Sequence, residues 1–103
     1  MDYKKYLHKL LSSTVEQGAS DLHINVGLKP HLRIDGELQP VQEEPEVDSD
    51  TASGIVEALF TQEQKENFEK NKELDFSYSH DGGFRFRINT YYQRGHVSLA
   101  ARL

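Results

Sequence analysis

The sequence predicts an α+β domain: one antiparallel sheet of about six strands, with an N-terminal helix and two helices in mid-chain. Three observations carry this. Apolar residues recur at helical spacing near the N-terminus and again after Asp50, they alternate at period two in six short stretches, and glycine-containing turns join several of those stretches into hairpins. At 103 residues the chain has the length of a single domain with one core.

The first helix is expected over residues 3–17. Tyr3, Leu7, Leu10, Leu11, Thr14 and Val15 share a stripe, Lys4, Lys5, Lys9 and Glu16 lie elsewhere, and Gly18 supplies the stop. Leu22, Ile24 and Val26 then alternate with Asp21, His23 and Asn25, giving a strand over 21–26 that Gly27 and Pro30 break. Residues 31–34 and 37–41 flank Asp35-Gly36, a pair suited to the positive φ of both central positions in a type I′ turn. Residues 42–50 are acidic, contain Pro45 and lack an apolar period, so they read as a solvated connection, with Glu43, Glu44, Asp48 and Asp50 facing water. Ala52, Ile55, Val56, Leu59 and Phe60 mark a second helix. Thr61 and Gln64 have capping-box spacing for a third, running to about Lys70. Leu74, Phe76 and Tyr78, then Phe84, Phe86 and Ile88, then Val97, Leu99 and Ala101 give three further alternating strands, the first two joined by His80-Asp81-Gly82-Gly83. The expected core is Leu7, Leu10, Leu11, Leu22, Ile24, Ile55, Leu59, Phe76, Phe84, Phe86 and Ile88.

Several functions are set aside by what the sequence lacks. It has no cysteine, hence no disulfide or thiolate metal site, and no apolar run of about 18–20 residues that would span a membrane. The N-terminus has no apolar core of a signal peptide, and a cytoplasmic setting is expected. No G-x-x-x-x-G-K-[ST], G-x-G-x-x-G or H-E-x-x-H is present, so catalysis by this chain alone is not expected. The five histidines are spread over separate elements, and most of them read as solvent-exposed. A metal site from Asp21, His23 and His31 is disfavoured, since two ligands on one strand make no coordination shell.

Charge is unevenly divided. Phe84–Leu103 carries four arginines and no other charge, whereas the remainder holds eight cations against seventeen acids, which splits the net −5 into +4 and −9. Arginine without lysine suits bidentate recognition of phosphate or carboxylate. Period two places Arg85 and Arg87 on one strand face opposite Phe84, Phe86 and Ile88, and Arg94 and Arg102 are candidates to converge on that side. The competing reading is a sheet face with cross-strand ion pairs to Asp75. Tyr91 and Tyr92 beside arginines suggest single-stranded nucleic acid, but the net charge of −5 argues against it, and no nucleic-acid partner is expected.

Ordered blocks of the chain resemble a known family. Ala19-Ser20-Asp21-Leu22-His23, Gly27-Leu28-Lys29-Pro30, Arg33-Ile34-Asp35-Gly36, Glu73-Leu74-Asp75-Phe76-Ser77 and Arg85-Phe86-Arg87-Ile88-Asn89, then Gly95 and Arg102, look like the opening of the PilT-type ATPases that retract type IV pili. Type II secretion ATPases share a similar opening. The resemblance implies a PAS-like N-terminal domain over residues 1–103, with the RecA-like catalytic domain and its Walker motifs outside this chain. It further implies a hexamer in which ATP and Mg lie between the two domains of the parent protein. Arg85, Arg87, Arg94 and Arg102 are then the positions expected to approach the phosphates, and Asp21, His23 and Arg33 are candidates for subunit contact. The expected partners are the protein's own RecA-like domain, neighbouring subunits and the pilus machinery at the inner membrane, with the protein cytoplasmic and peripheral to that membrane. The alternative is a stand-alone PAS-like ligand sensor or interaction module, which requires an enclosed cavity with convergent polar groups.

Overall fold

The computed structural model describes residues 1–103. The elements run α1 (Tyr3–Glu16), β1 (Asp21–Ile24), β2 (His31–Ile34), β3 (Glu37–Pro40), α2 (Ser49–Leu59), α3 (Gln62–Asn71), β4 (Glu73–His80), β5 (Phe84–Gln93) and β6 (His96–Arg102). All six strands form one antiparallel sheet in the order β3-β2-β1-β6-β5-β4. The α+β class and the six-strand sheet match the sequence reading. The two three-strand groups meet where β1 pairs with β6, Asp21 opposite Arg102 and Ile24 opposite Leu99.

Local chemistry sets most boundaries. Asp2 caps α1 by accepting from the Lys5 amide at 3.0 Å, and Gly18 at φ +67° ends it after the Gln17 C-cap. Asp35 and Gly36 both adopt positive φ, 52° and 82°, as the type I′ reading requires. Thr61 and Gln64 form the reciprocal capping box at the start of α3.

The helices cover one face of the sheet, α1 against β1 and α2, α2 against β6, and α3 against β4. Between them lie Leu7, Leu10, Leu11, Leu22, Ile24, Ile55, Phe86, Ile88 and Leu99, each at most 1% exposed. Phe76 is half-buried and packs edge-on to Phe60. Three expectations fail. Phe84 is 40% exposed, because it lies at the tip of the β4–β5 hairpin, past the end of the helical cover, with its ring near Gly82. The segment before α2 is not uniformly solvated: Glu44 and Val47 are buried, and Val47 exchanges 2.8 Å backbone hydrogen bonds with Gly27 and Leu28. Those bonds follow directly after β1, which ends at Ile24 rather than Val26.

Glu44 is held there by Lys9 of α1, whose Nζ lies 2.8 Å from the carboxylate. That pairing, opposed by burial and reinforced by the Tyr6 hydroxyl, keeps the Glu44 carboxyl below its ordinary range. Burial, and then the hydrogen bond to Glu44 and its charge, push the Tyr6 phenol up.

Candidate functional site

The other sheet face has no helix over it. Because side chains alternate, each residue there is fixed by its buried neighbour: Arg85 and Arg87 by Phe86 and Ile88, Arg102 by Ala101, Asp21 and His23 by Leu22. The register then sets the neighbours. Arg87 stands directly across from Arg102, and Asp21 lies between Arg102 on β6 and Arg33 on β2. Directly paired residues have Cα atoms about 4.5–5.5 Å apart, so two guanidinium stems rise side by side on this face, at the C-terminal end of β6.

Each is partly balanced by a carboxylate. Arg87 makes a two-bond fork with Asp75, Nε to Oδ1 at 3.2 Å and Nη2 to Oδ2 at 3.3 Å. Arg102 Nε lies 3.7 Å from Asp21 Oδ2, outside hydrogen-bond range, while Asp21 Oδ1 accepts from the Ser20 hydroxyl at 2.6 Å. The arginine side chains remain 73% and 77% exposed. With His23 and Asn89 these four line a shallow recess of about 250 Å³. Burial is the chief cause that holds the His23 imidazole below its ordinary value. Arg33, His31 and Arg102 act in the same direction, and Asp21 opposes them. At neutral pH the 3.7 Å His23–Asp21 approach is therefore not an ion pair, and His23 Nε2 is buried without a hydrogen-bond partner.

The four arginines singled out in the sequence do not gather at one point. Arg85, opposite Ser79, follows Arg87 along the same face toward the hairpin tip and has no ion pair. Arg94 occupies the β5–β6 turn at φ +54°, seven residues from Arg87 and at about 3.4 Å per residue near the opposite end of the strand. It borders a separate recess of about 430 Å³ with Asn25, Gly27, Leu28 and His96. Arg33 donates to the Gly36 carbonyl at 3.0 Å, within its own hairpin. His31, opposite His23, is bound through Nδ1 to the Lys29 carbonyl at 2.7 Å.

The expectation that most of the histidines are solvent-exposed fails: His96 is exposed, whereas His8, His23 and His31 are half-buried and His80 is 5% exposed. Asn89 was not singled out from the sequence. Its position two residues after Arg87 was the available signal, since period two puts both on one face. No helix is long and apolar enough to cross a membrane.

No family model matches the chain. Among curated proteins it is 34% identical over 94 residues to the type IV pilus ATPase PilU of Pseudomonas aeruginosa, covering 91% of this chain and 24% of that protein. It is also 34% identical over 85 residues to the type IV pilus retraction ATPase PilT of the same organism, covering 82% and 24%. The chain thus spans about a quarter of the length of these relatives. The crystal structure of the pilus retraction motor PilT with bound ADP superposes with a TM-score of 0.87 at 33% identity, over 94% of this chain and 28% of that one. The Legionella pneumophila ATPase DotB shares the fold, with a TM-score of 0.79 at 16% identity over 96% of this chain and 28% of that one. Sequence similarity and superposition thus agree over nearly the whole chain, and residues 1–103 belong to the PilT-type ATPases as their N-terminal, PAS-like domain.

Proposed function

We propose that this domain works within a hexameric type IV pilus retraction ATPase, docking its open sheet face against the RecA-like domain and a neighbouring subunit and lending arginines to the ATP site. The observation that carries the reading is the Arg87–Arg102 pair. Like charges directly opposite each other on a sheet are destabilising, and Asp75 and Asp21 relieve them only in part. A face built at that cost is suited to an anion or a docked acidic partner. Arg87, Arg102 and Arg85, which share one face, would reach phosphates together, whereas Arg94, at the far end of β5, would serve a separate contact. Asp21, His23 and Arg33, along the same face, would meet the neighbouring subunit. Binding of ATP and Mg would rest chiefly on the RecA-like domain, since residues 1–103 contain no P-loop. The assembled protein would be cytoplasmic and peripheral to the inner membrane, in contact with the pilus machinery.

The sensor alternative is less well supported. The helices and sheet fill the interior with side chains, and the recesses open to solvent. The reading is tested by calorimetry and hydrolysis assays on residues 1–103. No ATP turnover and at most weak ATP binding are expected. Turnover by this chain, or micromolar ATP affinity, would favour a self-contained nucleotide site instead.

A further inference from the structure

The side of α1 that meets β4 carries polar groups used neither by the core nor by the open face. His8 and Ser12 are one helical turn apart, and Tyr78 and His80 are alternate residues of one strand, so helix and strand present them to each other. His8 Nε2 lies 2.6 Å from the Tyr78 hydroxyl and His80 Nε2 lies 2.9 Å from the Ser12 hydroxyl. The two imidazoles meet edge to face with centroids 5.2 Å apart. His80 is 95% buried, and its Nδ1 has no hydrogen-bond partner. A buried polar atom left unpaired is costly and calls for a ligand. The exposed Asp81 follows, and one ligand atom from each of His8, His80 and Asp81 lies within 4.8 Å of the other two. A recess of about 210 Å³, lined in part by Ser12, Glu16, His80 and Asp81, opens beside them.

We propose that His8, His80 and Asp81 bind a divalent transition-metal ion of the zinc class, linking α1 to the β4–β5 hairpin, with water completing the shell. The donor set selects the ion: two imidazoles and one carboxylate suit zinc and its neighbours, whereas magnesium and calcium take oxygen donors. Coordination through His80 Nδ1 satisfies the orphaned atom and leaves Nε2–H to donate to Ser12 Oγ. Coordination through His8 Nδ1 likewise leaves Nε2–H to donate to the Tyr78 hydroxyl. Both hydroxyls then orient the rings as outer-shell partners do. Ligand atoms about 2.0–2.1 Å from a tetrahedral ion stand about 3.3 Å apart, so the three close inward by up to about 1.5 Å. Asp81, in the glycine-rich turn, has the freedom to supply that movement.

The site lies across the sheet from the paired arginines and stands independently of the ATP reading. Tag-free residues 1–103 are titrated with Zn²⁺ by calorimetry and with Co²⁺ by visible absorption, and unfolding is followed with Zn²⁺ and after EDTA. Expected are one equivalent bound with micromolar affinity, a tetrahedral Co²⁺ band, and a melting temperature raised by Zn²⁺ and restored by chelation. His8→Gln and Asp81→Asn each weaken binding at least about tenfold with metal-free unfolding close to that of the parent chain, while His96→Gln leaves affinity unchanged. Asp81 is exposed, so that variant separates lost ligation from lost folding. Absence of binding at millimolar metal, or binding that survives both ligand substitutions, overturns the proposal.

Discussion

On β5, Phe86 and Ile88 are 1% and 0% exposed, while Arg85 and Arg87 beside them stand in solvent. The two sheet faces thus divide the work of a single strand: one buries aromatic and aliphatic groups under three helices, and the other holds charges in register with nothing above them. Residues one position apart should therefore fail in different ways. A core substitution should unfold the domain, whereas an open-face substitution should leave it folded and impair what docks there.

The largest expected effect is on the covered face. Phe86→Ala should cost about 3–5 kcal/mol, a large part of the stability of a domain this size, read by urea unfolding. A loss under about 1 kcal/mol would mean that the two faces do not differ as described.

Two ion pairs sharpen the contrast. The Glu44 side chain is 7% exposed and paired with Lys9, whereas Asp75 is 45% exposed and paired with Arg87. Lys9→Ala should cost about 1–3 kcal/mol, because it leaves a buried carboxylate without its partner. Asp75→Ala should change stability by about 0–1 kcal/mol, as exposed pairs do.

Acid titration separates the same regions. The lowered Glu44 contributes stability that is present above its unfolded value of 4.5 and lost as pH falls through its folded value. The lowered His80 and His23 give full stability above 6.5, which declines as pH falls from there through their folded values. Unfolding midpoints should thus begin to fall below about pH 6.5 and fall further below about 4.5. In Glu44→Gln the lower limb should flatten and the upper limb remain.

Much of this division was legible in the sequence, because period-two alternation is a local signal. Phe86 and Arg87 are assigned to opposite faces by spacing alone, and Asp35-Gly36 and Thr61-Gln64 announce their turn and cap through backbone chemistry within four residues. What alternation does not encode is where the helical cover stops, so Phe84 continues the pattern yet lies outside the core. Nor does it encode contacts between distant elements. Glu44 and Val47 read as solvated until α1 and the turn after β1 are placed beside them, and His8 and His80 meet across 72 positions of the chain only because side chains of α1 reach the end of β4. The arginine strip was legible as charge and face, but its split into a group with Arg85, Arg87 and Arg102 and a remote Arg94 follows from the strand length of β5.

The central claim is that the open face serves catalysis by the whole ATPase and not the stability of this domain. It is tested most directly by measuring ATP hydrolysis and thermal unfolding on the same full-length Arg87→Ala and Arg102→Ala proteins. The account predicts a fall in turnover of at least about a hundredfold, in keeping with arginines that act at transferring phosphates, with unfolding shifted by no more than about 1 kcal/mol. Lysine at either position should restore only part of the rate, since a point charge does not reproduce the planar fork. Normal turnover in both alanine proteins would contradict the account and reduce the pair to surface charges balanced by Asp75 and Asp21.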